Sequence, residues 1–215
     1  MSVKFQEAFS LDSARRRFEF TDHFLVDSLR DLWTNTLGSG GTGAVVDAVD
    51  GGIFRLGTPT ASDSSVLDWG GGTPIRSLHV LKKVTMETRV RFNGGVTDTR
   101  REINLYFDTD NRIYFFHDNG SSSFRINCYN DGASAGSSVV DTVDTDWHIY
   151  RIECFPTDEI HFYIDNVETA GSPKTTEIPT DAGDYLMPRF YIATDGDSDP
   201  ATSMDIDYVA IRQNR

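Results

Sequence analysis

Between Val84 and Phe92 the side chains alternate without a fault, with Val84, Met86, Thr88, Val90 and Phe92 set against Thr85, Glu87, Arg89 and Arg91. A period of two puts one set on a buried face and the other in water, which is the signature of a β-strand. A helix would scatter the same residues around its circumference. Ile103, Leu105 and Phe107 repeat the pattern, as do Phe124, Ile126 and Cys128. It returns in Trp147 to Phe155 and in Ile160 to Asp165. No stretch carries a helical period over a helix's length, so about a dozen strands and an all-β domain are expected. A TIM barrel and a nucleotide-binding α/β sheet are both incompatible with that reading.

Turn chemistry separates these runs. Asp50-Gly51-Gly52 stands between Val45-Val46 and Ile53-Phe54-Arg55-Leu56, a tight hairpin signal. Ser65 to Trp69 stops at Gly70-Gly71-Gly72, which continues no element cheaply. The chain has 215 residues, enough for one large sandwich, and its 38% hydrophobic and 25% charged content is ordinary for a globular domain. Without repeats or a low-complexity linker, residues 23–215 read as one domain preceded by an arm, residues 1–22. In the arm Phe5, Phe9, Phe18 and Phe20 are irregularly spaced around the basic run Arg15-Arg16-Arg17. Two readings stand open: a first strand with its lead-in, or an arm docked on a neighbouring subunit. In the second, Phe5 and Phe9 fill pockets while Arg15, Arg16 and Arg17 meet acidic surface.

Twenty basic against 33 acidic side chains leave a net charge of −13. Such a field repels phosphate backbones, so a nucleic-acid partner is not expected. The chain starts Met1-Ser2-Val3-Lys4-Phe5 without an apolar leader, and no run approaches a membrane-spanning length, so neither a signal peptide nor a membrane is expected. Cys128 and Cys154, the only two cysteines, lie in strand patterns and read as small buried hydrophobes, their pairing left open.

The run Asp146-Trp147-His148-Ile149-Tyr150-Arg151-Ile152-Glu153, followed by Ile160-His161-Phe162-Tyr163-Ile164-Asp165-Asn166-Val167, resembles a strand pair of concanavalin-A-like lectins and glucanases. In that superfamily W-H-x-Y-x-I precedes F-Y-I-D-G. Asn166 stands where Gly is usual, and both residue types tolerate a positive φ. Met204-Asp205-Ile206-Asp207-Tyr208-Val209 resembles the closing strand. The likeness spans roughly residues 24–212 and implies a jelly-roll β-sandwich, while fold alone implies no activity. Separately, Asp22 to Leu25, Asp31 to Thr34, Gly52 to Thr58 and Met86 to Phe92 resemble tailed-phage structural proteins. This second resemblance implies a non-enzymatic decoration or fibre protein on the virion surface, made in the host cytoplasm. Its partners would be a capsid or other virion protein and further copies of itself, with a trimer among the states expected.

Retaining glucanases of the superfamily carry their carboxylates at alternate positions of one strand, E-x-D-x-E, so that all face one cleft with the catalytic pair about 5–5.5 Å apart. The nearest match is Glu102-Ile103-Asn104-Leu105-Tyr106, where Asn104 replaces the assisting Asp and Tyr106 the proton donor. One carboxylate cannot be nucleophile and acid at once, so no enzyme is expected and no catalytic residue is assigned. Two alternatives stay open. A carbohydrate-binding module would use Trp69, expected to be exposed beside its glycines, with Tyr106, Tyr114, His117 and Arg125. A divergent hydrolase or lyase could be built from the same Tyr, His and Arg residues without leaving a linear motif. Asp195, Asp197 and Asp199 alternate as Ca²⁺ ligands do, with Asx-turn chemistry the competing explanation. No other cofactor is implied.

Overall fold

A computed structural model of the chain describes residues 17–24, 32–48, 51–58, 62–70, 78–95, 97–156, 159–181, 185–195 and 201–214. Sixteen strands occur among them. They are β1 (Arg17–Asp22), β2 (Trp33–Leu37), β3 (Thr42–Ala48), β4 (Gly51–Thr58), β5 (Ser64–Trp69), β6 (Val84–Asn93), β7 (Thr99–Tyr106) and β8 (Arg112–His117). The rest are β9 (Ser123–Asn130), β10 (Ala133–Ser134), β11 (Ser138–Thr142), β12 (Trp147–Phe155), β13 (Glu159–Ile164), β14 (Val167–Glu168), β15 (Met187–Thr194) and β16 (Thr202–Asn214). Every pairing is antiparallel, and the strands form two eight-stranded sheets. Sheet A runs β14-β13-β12-β6-β16-β4-β3, with β1 also on β16, and sheet B runs β10-β9-β8-β7-β15-β5-β2, with β11 also on β9. The all-β jelly-roll expectation is met.

The alternating strand that opened the sequence reading is β6, at the centre of sheet A, and its side chains alternate between buried and half-buried along its whole length. Its buried set joins Phe54, Leu56, Ile152, Phe162 and Ile206 from sheet A and Ile103, Phe115, Ile126 and Phe190 from sheet B in one core. Aromatic rings join the layers. Phe115 of β8 lies edge-on to Phe162 of β13 at 5.2 Å, and Phe92 of β6 meets Phe124 of β9 at 5.5 Å. Cys128 and Cys154 are buried free thiols in this core. Asp165 and Asn166, with φ of 50° and 67°, make the two-residue turn between β13 and β14. Positive φ at both central positions is the hairpin geometry that matches strand twist.

Strand β16 explains a feature that alternation alone hides. Its buried apolar residues are Met204 and Ile206, then Val209 and Ile211, a step of three in the middle. The register with β6 shifts between Ile206 and Tyr208, a β-bulge that restores the apolar side chains to the core. Thr88 Oγ1 donates to the Tyr208 carbonyl at 2.7 Å and so satisfies the irregular backbone. The other edge of β16 is shared end to end, with β4 pairing residues 202–206 and β1 pairing residues 209–214.

Strand β1 corrects the division of the chain at residue 22. Arg17–Asp22 is part of sheet A, and Phe18 and Phe20 pack against the core beside Trp69. The expected assembly residues Phe5, Phe9, Arg15 and Arg16 lie outside the described residues, and of Arg17 only the backbone is described. Among the described residues no helix is long and apolar enough to cross a membrane.

Candidate functional site

The outer face of sheet B gathers polar and aromatic side chains from six neighbouring strands. Register fixes the rows. Asn127, Tyr114, Asn104, Arg189, Asp68 and Thr34 stand side by side across β9, β8, β7, β15, β5 and β2. The next row is Arg125, Phe116, Glu102, Tyr191, Val66 and Thr36. Tyr129, Arg112 and Tyr106 border the first row on its other side. A strand alternates its faces, so each of these residues is flanked in sequence by core residues such as Ile103, Leu105, Ile113 and Phe115.

Glu102 sits near the middle and is only 3% exposed. Arg100 donates from Nε to Glu102 Oε1 at 2.7 Å, Arg112 Nη1 lies 3.6 Å from the same oxygen, and Asn104 Nδ2 donates to Oε2 at 3.2 Å. The carboxylate is therefore already occupied by its neighbours. Asn104 and Tyr106 share its face of β7, so the triple-carboxylate strand of a retaining glucanase is reduced here to one acid. The face's other carboxylate is Asp68, 8% exposed, with Arg189 Nε at 3.4 Å. Burial pushes the Asp68 pKa up, and the Arg189 charge opposes it only in part. Strand β15 lies between β7 and β5, and its Arg189 stands beside Asp68.

Guanidinium groups and rings alternate over the face. Arg189 stacks on Tyr106 at 4.0 Å, and Arg112 lies over Tyr114 at 4.5 Å and Tyr129 at 5.0 Å. Tyr114 and Phe116 are stacked at 4.7 Å. Burial raises the Tyr114 pKa far above its ordinary value, so its phenol stays protonated at any physiological pH. It offers a hydroxyl donor and a ring surface.

Tyr106, Tyr114 and Arg125 share this face of sheet B, and two expectations need correction. His117 is on β8 one residue past Phe116, so it faces the opposite way. It is fully buried, its ring meets the Ser121 carbonyl, and burial lowers its pKa. A Tyr–His–Arg lyase set on one face is therefore broken by strand parity. Trp69, expected to be an exposed platform, is 5% exposed. It closes β5 on the core side, with Phe20 stacked at 5.2 Å and Trp33 at 6.4 Å. The following glycines gave the impression of a free loop, but the ring belongs to the strand before them.

Asp195 ends the β15 region with its amide donating to the Asp98 carbonyl at 2.8 Å, while Asp197 and Asp199 lie outside the described residues. Asp108 accepts from the Asp110 amide and from Asn111 Nδ2, an Asx turn that engages its carboxylate locally. Sequence reasoning passed over Arg100, Arg112, Arg189, Asp68, Asn127 and Tyr191, which converge from separate strands and leave no linear motif. Parity was the usable signal, since every second residue beside Glu102 in the next strand had to share its face.

No protein-family model and no curated protein sequence matches the chain, whereas many solved structures match its shape. A β-1,3-glucanase from Mycobacterium marinum superposes with a TM-score of 0.60 at 17% identity over 89% of this chain and 97% of that one. A Mycobacterium tuberculosis protein described as an immunostimulatory antigen and pseudo β-1,3-glucanase gives 0.60 at 17% identity over 91% and 98%. The chain has the glucanase-type sandwich fold. A carbohydrate esterase from the Shiga toxin-encoding bacteriophage phi24B also shares it, with a TM-score of 0.54 at 16% identity over 85% and 90% of the two chains. At these identities the likeness carries the fold, and the site must be argued from its own residues.

Proposed function

We propose that this glucanase-type sandwich is a non-enzymatic virion structural protein, a decoration or fibre component, whose sheet B face contacts glycans without cleaving them. The observation that carries the non-enzymatic half is the face of β7, where Glu102 is ion-paired with Arg100 and followed by Asn104 and Tyr106. A double displacement needs a free nucleophile and a proton donor about 5–5.5 Å away, and neither requirement is met on that strand. The virion half is supported by the stretches around Asp22, Trp33, Gly52 and Met86 that resemble tailed-phage structural proteins. That a bacteriophage carbohydrate esterase shares the fold supports only the occurrence of this sandwich in a phage. Mass spectrometry of gradient-purified particles tests this half. The chain is expected as a multi-copy particle component, and its absence from particles made by a strain that expresses it would overturn the assignment.

The second reading, a glycan-binding module free of any virion, is favoured by the same face. Guanidinium groups stacked on Tyr106, Tyr114 and Tyr129 offer both planar surfaces and hydrogen-bond donors to sugar rings. Glycan-array binding by the isolated chain, combined with absence from particles, would favour that reading.

A further inference from the structure

The outer face of sheet B has a charge opposite to that of the chain. The protein carries −13 overall, yet this face presents Arg100, Arg112, Arg125 and Arg189 against Glu102 and Asp68. Arg100 is committed to Glu102, with an Nη2–Oε1 separation of 2.5 Å. Arg112 is only loosely held, at 3.6 Å from Glu102, and Arg189 likewise at 3.4 Å from Asp68. Arg125 has no carboxylate partner among the described residues, its one hydrogen bond being a long 3.5 Å contact to Ser137 Oγ. Buried N–H groups on Arg112, Arg125 and Arg189 lack acceptors, and so does the carbonyl oxygen of Asn104 lack a donor on the floor between them. Unfilled buried donors and acceptors are costly in a finished core and ordinary in a ligand site awaiting its ligand.

We propose that this face binds an acidic polysaccharide, with successive sugar carboxylates met by Arg112, Arg125 and Arg189 and a sugar hydroxyl donating to Asn104 Oδ1. The inference rests on the glycan-contact reading above and narrows it to uronate chains. Planar guanidinium forks match carboxylates in pairs of parallel hydrogen bonds, which a neutral glucan cannot supply. Tyr106, Tyr129 and Tyr191 are half-buried, with ring surface left to stack on sugar faces. A nucleic acid presents a charge every ~1.7 Å along its axis and meets the repulsion of the whole acidic body. A uronate chain carries its charges more sparsely, so the local guanidinium cluster outweighs the distant field, which salt screens within about 8 Å.

The test is calorimetric titration of the full chain with hexa-galacturonate, laminarihexaose, a dextran sulfate oligomer and single-stranded DNA. Galacturonate is expected to bind, with affinity falling as salt rises, and laminarihexaose to bind at least tenfold more weakly. Arg125→Gln and Arg189→Gln are each expected to weaken galacturonate binding by roughly tenfold, as removal of a charge-assisted hydrogen bond does. Unchanged melting of the variants keeps that reading separate from misfolding. Equal binding of laminarihexaose overturns the acidic-sugar inference and leaves glycan contact standing. Equal or tighter binding of dextran sulfate or DNA overturns it in favour of bare polyanion attraction. Silence with every sugar overturns both.

Discussion

Asp205 shows how a single residue ties strands together on the outside of sheet A. Its carboxylate is buried yet accepts from Arg55 Nε at 2.6 Å and Nη2 at 2.9 Å, from Arg91 Nη2 at 2.7 Å and from Asn93 Nδ2 at 3.0 Å. Burial alone would raise its pKa, but the Arg55 and Arg91 bonds outweigh burial and hold it below the ordinary value of 3.8. The clamp's contribution is therefore present above that value and lost in acid. Asp205→Ala leaves two guanidiniums without their acceptor and should cost about 2–3 kcal/mol, read by urea unfolding at pH 7, at the low end for a buried pair because both arginines reach solvent. His148 behaves with the opposite sign. Its Nδ1 meets Asp165 Oδ2 at 2.6 Å and its Nε2 meets Asp144 Oδ1 at 3.0 Å, an arrangement only the imidazolium satisfies at both ends. Burial lowers its pKa, yet the bonds to Asp165 and Asp144 prevail and the net shift is upward from 6.5. A group whose pKa rises on folding stabilises fully below its unfolded value and ceases to as pH climbs through the folded one. The stability gap between wild type and His148→Gln should thus be widest near pH 6 and shrink by pH 9, measured by urea midpoints. A gap that grows with pH would contradict the assignment.

Strand β1 is the element on which the domain boundary turns. Residues 17–22 cover half of one edge of β16, and Phe20 stacks on Trp69. A chain lacking residues 1–22 should melt well below one lacking residues 1–16, or fail to express in soluble form. Phe20→Ala should cost about 2 kcal/mol, roughly half the loss at a fully buried Phe because the ring is partly exposed. Equal melting of the two truncations would contradict β1's place in the sheet. Much of the fold was legible in the sequence at this scale. The strands at 84–93, 147–155 and 159–164 announced themselves by alternation, and the Asp165-Asn166 turn by its residue types. Strand β1 was harder to read because Phe18 and Phe20 give only one repeat of the alternation beside an arginine run. The bulge in β16 was written in the step from Ile206 to Val209, a change of parity that a search for strict alternation passes over. The site was legible only as the defect in Glu102-Ile103-Asn104-Leu105-Tyr106. Its remaining members depend on which strands neighbour β7, and no local pattern encodes that. Trp69 was misplaced for a related reason, since exposure was inferred from the glycines after it and burial was decided by β1 and β2.

Two antiparallel sheets around one aromatic core give the glucanase-type shape, and the outer face of β7 carries one carboxylate, Glu102, ion-paired with Arg100. The surface around it is a field of guanidinium and tyrosine groups, the feature on which the proposed glycan contact rests. Asp68, whose carboxyl burial makes a weaker acid, is a second carboxyl on the face and so is the control that matters. Release of reducing ends from laminarin and from polygalacturonate, compared among wild type, Glu102→Gln and Asp68→Asn, tests the central claim most directly. All three proteins should be indistinguishable from buffer. Release by wild type that either substitution abolishes would contradict the account and make the face an active site.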